Sequence, residues 1–187
     1  MEIQREFFER DPVSCARDLI GCTFRWNGCE GRIVETEAYE SEGDEACHTW
    51  NRPSARAFIG EHRAGIAYVY LNYGVHWLFN VLAKSAESSG FVLFRALEPA
   101  TGIETMRLRR GAGWRDSELC SGPGRLTKAL GIDGKSHGEE FLGAAETGIL
   151  LGPSAGIIAG GRIGISRSVS HQWRFGELGS KSLSRKF

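Results

Sequence analysis

Apolar positions along the chain recur with two different periods. Val13, Ala16, Leu19 and Ile20 fall on one face of a helix. Asp11 suits its N-cap, Pro12 its first helical position and Gly21 its stop. The pattern then turns strand-like: Cys22–Trp26 and Cys29–Tyr39 flank Asn27-Gly28, a strong hairpin signal. Residues 40–65 are rich in charge, with Asn51, Pro53 and Gly60, and read as a long loop, which in a compact domain is more often functional than idle. Ile66–Asn72 reads as a strand with Tyr68, Tyr70 and Asn72 on one face. Tyr73-Gly74 turns the chain, Val75–Ala83 returns, and Phe91–Leu97 forms a third strand. Thr101–Arg110 reads as a helix with Ile103 and Met106 inward, and Ser121-Gly-Pro-Gly124 leads into a second one ending at Leu130-Gly131. Ile149–Leu151, Gly156–Ala159 and Arg162–Ile165 read as short strands before a basic, serine-rich tail. With no internal repeat and no clear linker, the pattern predicts one α+β domain over residues 1–187.

Composition narrows the class. Hydrophobic residues make up 41% of the chain, enough for a core and too many for a disordered segment. No apolar run approaches a membrane span, and the first residues lack a signal-peptide pattern. The five cysteines are odd in number and contain no Cys-x-x-Cys, which fits reduced thiols in a cytosolic protein. Cys47-His48 has no second ligand pair and is a weak zinc signal. Net charge is zero, which by itself points away from a nucleic-acid binder. The distribution is uneven, however. Glu30–Glu45 holds seven acids and one base, whereas Arg162–Phe187 holds six bases and one acid. A neutral total can therefore hide a basic face opposite an acidic one, although scattered solvated charges explain it equally well.

The candidate chemistry concentrates in Gly31-Arg-Ile-Val-Glu-Thr-Glu-Ala-Tyr39. In a strand, Glu35, Glu37 and Tyr39 share one face, with Val34, Thr36 and Ala38 on the other, and Ile33 and Val34 anchoring the core. That face could carry a base for activating water beside a ring on which a planar ligand stacks. The bland alternative is a solvated strand end. Tyr68, Tyr70, Tyr73, His76 and Trp77 form a second aromatic group, with Tyr73 at a turn, either as an exposed wedge or folded over its own sheet. Asn80 and Arg95 lie in apolar runs and need partners. Either Glu35 or Glu37 would satisfy Arg95. Arg125 and Lys128, on the helix after Ser121-Gly-Pro-Gly124, could hold a backbone phosphate, but the spacing is not that of a nucleotide-binding loop. No Gly-x-Ser-x-Gly elbow is present.

Six segments occur in a telling order: Arg32-Ile-Val-Glu-Thr-Glu-Ala-Tyr39, Asp44-Glu-Ala-Cys-His48, Tyr68-Val-Tyr-Leu-Asn-Tyr-Gly74 with Asn80, Arg95-Ala-Leu-Glu-Pro99, Leu119-Cys-Ser-Gly-Pro123 and Arg162-Ile-Gly-Ile165. Together they resemble the alkyladenine (3-methyladenine or methylpurine) DNA glycosylase family from about Asp11 to Arg174. The resemblance implies a curved antiparallel sheet with flanking helices. It implies an enzyme that flips a damaged purine out of duplex DNA and hydrolyses its N-glycosidic bond, as a monomer without cofactor or metal. In that scheme Glu37 is the general base and Arg95 positions water with it. Tyr39, His48 and Tyr70 wall the base pocket, Asn80 disfavours guanine's 2-amino group, and Tyr73 intercalates. Arg125, Lys128 and Arg162 are candidate phosphate contacts. A bacterial-type protein of this kind would work in the cytoplasm, at the nucleoid. Two rivals stand beside it: a module that binds a damaged base without cutting, and a hydrolase of free nucleosides. Residues 51–65 depart from the family's usual pattern at Ala57-Phe58 and Glu61-His-Arg-Ala64, as do Val75 and Trp77 beside the turn. These departures bear on lesion preference and DNA contacts. His62 and Arg63 could touch phosphates or line a solvated loop.

Overall fold

The computed structural model describes residues 1–187. Its centre is an eight-stranded, wholly antiparallel sheet with six α-helices around it, an α+β architecture. Helix α1 (Pro12–Asp18) starts where expected: the Asp11 carboxylate accepts the Ser14 N–H at 2.8 Å, and Pro12 fills the first turn. Strands β1 (Thr23–Trp26) and β2 (Cys29–Glu40) follow, joined by a turn whose Asn27 and Gly28 both take positive φ. That is the backbone a two-residue hairpin requires, and Asn-Gly adopts it with little strain.

The loop expected over residues 40–65 is corrected. It holds two short helices, α2 (His48–Asn51) and α3 (Pro53–Glu61). Pro53 is tolerated at the first turn, and only Ala55 and Phe58, three residues apart, turn fully inward. Polar residues on the other faces disguise the helix. Strands β3 (Ala67–Asn72), β4 (His76–Lys84) and β5 (Ser89–Thr101) form the expected three-stranded meander, with β5 much longer than its apolar run. Helices α4 (Ile103–Arg110), α5 (Asp116–Leu119) and α6 (Pro123–Leu130) follow, and α6 ends on Gly131 at φ +71°. Three short strands complete the sheet: β6 (Gly148–Leu150), β7 (Ile157–Gly160) and β8 (Arg174–Glu177). Arg162–Ile165 is not a strand, a second correction, and β8 escapes a sequence reading because Phe175 is the one large apolar side chain in its four residues.

Strand β2 is the spine. It pairs with β5 along its length, with β1 near its start and with β8 across Glu35–Glu37. Glu35 and Glu37 therefore sit where β2 has a neighbour on both sides, and neither is exposed. Two compensating register shifts lie here. Ile33 pairs with Leu97 and Glu35 with Ala96, leaving Val34 as an extra residue; Thr36 pairs with Phe94, leaving Arg95 extra on the other strand. An extra residue flips the side-chain alternation and bends the strand. So Ile33 joins Ala38 in the main core, while Glu35 and Glu37 turn to the opposite face. Arg95 likewise leaves the face of Leu97, which uninterrupted alternation would have given it, and meets those carboxylates.

The main core lies on the other side of the sheet. Phe24, Trp26, Phe79, Phe94 and Phe141 pack with ring centroids 5.1–6.0 Å apart. Thr36, the one polar β2 side chain facing α1, donates to the Ala16 carbonyl at 2.7 Å. A close approach links this frame to the site: a Cβ on Gly90 would lie 2.0 Å from the Tyr39 carbonyl oxygen and 2.9 Å from Pro12. Gly90→Ala must push β5 from β2 beside Tyr39. The expected cost is roughly 1–3 kcal/mol in a urea unfolding curve, and an unchanged midpoint would show that the strands are not so tightly apposed.

Candidate active site

The face of β2 carrying the acids is roofed by three of the second aromatic group, Tyr68, Tyr70 and Tyr73, whereas Trp77 packs against the main core and His76 borders a neighbouring hollow. Tyr39, His48, Tyr68, Tyr70, Asn80 and Arg95 line a cavity of about 300 Å³, closed by Ile163–Ile165 and with Tyr73 on its lining. Tyr68 and Tyr70 project from one face of β3, as alternation dictates, and His48 starts α2. The His48 and Tyr70 rings meet edge-on at 4.2 Å, and Tyr68 stacks on Phe91. This volume, flat-walled and half apolar, suits a planar heterocycle.

Glu37 lies directly behind that lining. Its Oε2 accepts the Tyr39 hydroxyl at 2.7 Å and Arg95 Nη1 at 3.3 Å; its Oε1 accepts the Ile163 backbone N–H at 2.7 Å. With one donor on Oε1, that oxygen keeps a lone pair for a further proton. Burial pushes the Glu37 carboxyl up. Arg95, the Ile163 N–H and the Tyr39 hydroxyl oppose the rise, and the Glu35 charge adds to it. Burial and the adjacent Glu37 charge push the Tyr39 hydroxyl well above its ordinary value, so it stays a donor. Arg95 satisfies both acids at once, giving its Nε to Glu35 at 3.0 Å. Glu35 is also gripped by Arg174 at 2.8 Å and by Ser184.

Asn80 is buried in β4 and spends one amide proton on the Tyr68 carbonyl at 3.1 Å. It serves the backbone and the cavity together. His48 Nδ1 lies 3.1 Å from the Tyr68 hydroxyl. Burial, then the Arg52 charge, pulls its pKa down to about 4, so the ring is neutral at pH 7. A histidine depressed from 6.5 to about 4 stabilises the fold fully above about pH 6.5, and that contribution is lost as pH falls towards 4. Across that window the wild type should lose up to roughly 3 kcal/mol relative to His48→Gln. Parallel stability curves for the two proteins would contradict the assignment.

Tyr73 stands at the β3–β4 turn, 87% exposed, with φ +50°. Gly74 also has positive φ, and the Val75 N–H bonds the Asn72 carbonyl at 3.0 Å. The turn is thus the counterpart of Asn27-Gly28, with a bulky ring where asparagine fits better. Neither the exposed ring nor the strained backbone contributes to the fold, which makes Tyr73 a candidate for contact with a ligand. Tyr73→Asn should raise stability by about 1 kcal/mol in denaturant unfolding; a loss of stability would mean that the ring, not the turn, holds the hairpin.

The candidate phosphate contacts separate. Arg125 and Lys128 are exposed on α6. The Arg125 and Arg110 guanidiniums lie 5.1 and 4.6 Å from the Trp114 ring, bordering a hollow that shares Asn72, Leu78 and Pro123 with the main cavity. Arg162 is corrected. Its side chain is fully buried, bonded to both Asp44 oxygens and to the Ala38 carbonyl at 2.9 Å. It sits between the Tyr39 and Trp173 rings, at 4.7 and 5.2 Å. No phosphate reaches it; it instead fixes the segment that presents the Ile163 N–H to Glu37. The Asp44–Arg162 pair, Ile163, Arg174 and Ser184 were missed as site residues. Arg174 carried the signal that exposed Arg95, a charge between apolar neighbours.

A flat-walled cavity backed by a buried carboxylate, itself held by an arginine and two further donors, has room for a planar ligand beside a candidate base. The comparisons with known proteins agree in kind. The methylpurine-DNA glycosylase (MPG) family profile matches residues 6–181. A protein of Agrobacterium fabrum strain C58, named a candidate 3-methyladenine DNA glycosylase, is 44% identical over all of this chain and 94% of its own length. Relatives with the same name from Rhizobium etli and Nitrosospira multiformis are 43% and 41% identical, covering 98% and 96% of this chain and 89% and 92% of their own. The chain belongs to the methylpurine-DNA glycosylase family. No helix is long and apolar enough to cross a membrane.

Proposed function

We propose that the protein is a monofunctional DNA glycosylase that extrudes alkylated or deaminated purines from duplex DNA and hydrolyses their N-glycosidic bonds. The observation that carries this is the buried Glu37 carboxylate behind an aromatic cavity with an exposed Tyr73 at its rim. A duplex hides the glycosidic bond, so the nucleotide leaves the stack at a cost of a few kcal/mol. Tyr73 fills the gap as a wedge, and stacking against Tyr39, His48 and Tyr70 returns about 1–3 kcal/mol. Asn80 tests the edge of the base and disfavours a 2-amino group. Arg110, Arg125 and Lys128 meet backbone phosphates. A free nucleoside would need neither wedge nor phosphate contacts.

In the chemical step water attacks C1′ of the sugar while the C1′–N bond breaks and its electron pair leaves with the base. Glu37 takes the water's proton on Oε1, and its charge stabilises the cationic sugar as the bond opens. Arg95 keeps the carboxylate oriented. A cationic purine such as 7-methylguanine or 3-methyladenine leaves as a neutral base and needs no acid. Hypoxanthine and ethenoadenine leave more slowly without protonation. No lysine lines the cavity, which supports hydrolysis over a Schiff base and strand cleavage. In this reading the chain acts as a monomer without cofactor on damaged double-stranded DNA, in the bacterial cytoplasm where the chromosome lies.

The test uses duplexes carrying hypoxanthine, ethenoadenine or 7-methylguanine beside the matching free nucleosides, scored for abasic sites and released base. The wild type should act on the duplexes alone. Glu37→Gln should lose about 10²–10⁴-fold in single-turnover rate while still binding lesion-bearing duplex. Excision at the wild-type rate by Glu37→Gln would remove the base from the scheme; release from nucleosides alone would favour a nucleoside hydrolase.

A further inference from the structure

We propose that Glu35 is a positioning residue for excision, and that Arg174 and Ser184 of the C-terminal segment act through it to hold Arg95 on Glu37. The inference rests on reading Glu37 as the base.

Glu35 is wholly buried, and a buried charge survives only when paired and hydrogen-bonded. Its Oε1 accepts Arg95 Nε at 3.0 Å, Arg174 Nε at 2.8 Å and the Ser184 hydroxyl at 2.8 Å; its Oε2 accepts the Ser184 backbone N–H at 2.6 Å. Arg95 in turn spreads its planar fork over three acceptors: Glu35, Glu37 and the Ser184 oxygen, the last two each at 3.3 Å. A rigid fork cannot move one arm alone. The direction in which Nη1 meets Glu37 is therefore set by what grips Nε and Nη2. Ser184 closes the ring, because one hydroxyl accepts from Arg95 and donates to Glu35.

The segment that supplies Ser184 is seated, not merely draped. Arg174 donates to the Arg185 and Lys186 carbonyls, and its guanidinium lies 3.8 Å from the Phe187 ring centroid. Two glycines clear the seat for that ring: a Cβ on Gly176 would lie 2.3 Å from Phe187, and one on Gly160 would lie 2.9 Å away. The residues between Arg174 and Phe187 thus tie a strand of the sheet to the pair that faces the substrate.

Glu37 is faced by Glu35 and Tyr39 on β2, Arg95 on β5, Arg162 with the Ile163 N–H, Tyr70 on β3 and Arg174 on β8. Glu35→Gln takes one negative charge from this set and leaves the Arg95 charge to Glu37 alone. Both changes lower the proton affinity of Glu37. The acid limb of the single-turnover profile on 7-methylguanine duplex should move about one pH unit lower, while the plateau falls roughly 10–100-fold through misalignment. Ser184→Ala leaves every charge in place and should lower the plateau about tenfold, with Ser184→Thr restoring most of it.

A Glu35→Gln plateau that falls with an unmoved acid limb, or wild-type behaviour in both Glu35→Gln and Ser184→Ala, would overturn the proposal. If Glu35→Gln does not fold, the Ser184→Ala and Ser184→Thr pair decides: loss and restoration support the inference, and an undiminished Ser184→Ala rate sinks it. Glu37→Gln serves as the reference. If it remains fully active, the reading of Glu37 fails and takes this inference with it; if it is inactive while the Glu35 and Ser184 variants match wild type, only this inference fails.

Discussion

Two carboxylates and two arginines buried between adjacent strands impose the strongest constraint on this molecule. Glu35 and Glu37 are wholly buried and Arg95 and Arg174 nearly so, and removing one partner of such a group strands the rest. The sheet is shaped to bring them together. The extra residues Val34 and Arg95 turn three charges from the apolar core to the far side, and β8 covers the remaining flank of β2 with Arg174. An ideal ladder would have left Ile33 on the face of the acids, and Phe94 and Leu97 could not both have faced the core. The two irregularities separate a dry, ring-packed core from a charged face while β2 stays continuous.

Around that group the rest of the site follows in layers. The Ile163 N–H reaches Glu37 only because Arg162 and Asp44 fix its loop, and the same arginine supports the Tyr39 ring from behind. The Asp44 carboxylate also accepts from the backbone of Glu40 and Ala46, so it sets the chain's path towards His48. The cavity wall is thereby coupled to the carboxylate behind it. Tyr73 is the exception: it lies at a hairpin tip, strained and exposed, where the fold gains nothing from a ring.

Local signals were legible where one residue type answers one backbone need. Asn27-Gly28, Asp11-Pro12 and Gly131 mark their turn, cap and stop, and Arg95 announced a buried partner. The same-face argument for Glu35, Glu37 and Tyr39 held, but the position of Ile33 did not follow it, because a bulge has no signature in alternation. Helices α2 and α3 hid because only Ala55 and Phe58 of the second are fully apolar-facing. The partners of the site charges were illegible for a different reason. Asp44 lies 118 residues from Arg162, and Glu35 lies 149 residues from Ser184. Such pairings follow from how distant strands and loops meet around β2, which local patterns do not encode. Arg162 was read as a phosphate contact on this account, whereas its side chain is buried.

The proposed base, Glu37, works from a buried position, its carboxyl held above the ordinary range by desolvation. The pH dependence of single-turnover excision on 7-methylguanine duplex tests this most directly, since that leaving base needs no acid. The wild-type rate should fall along one acid limb centred above the ordinary glutamate value of about 4.3, and Glu37→Gln should show no such limb. A wild-type rate flat across that range, or the same limb persisting in Glu37→Gln, would contradict it.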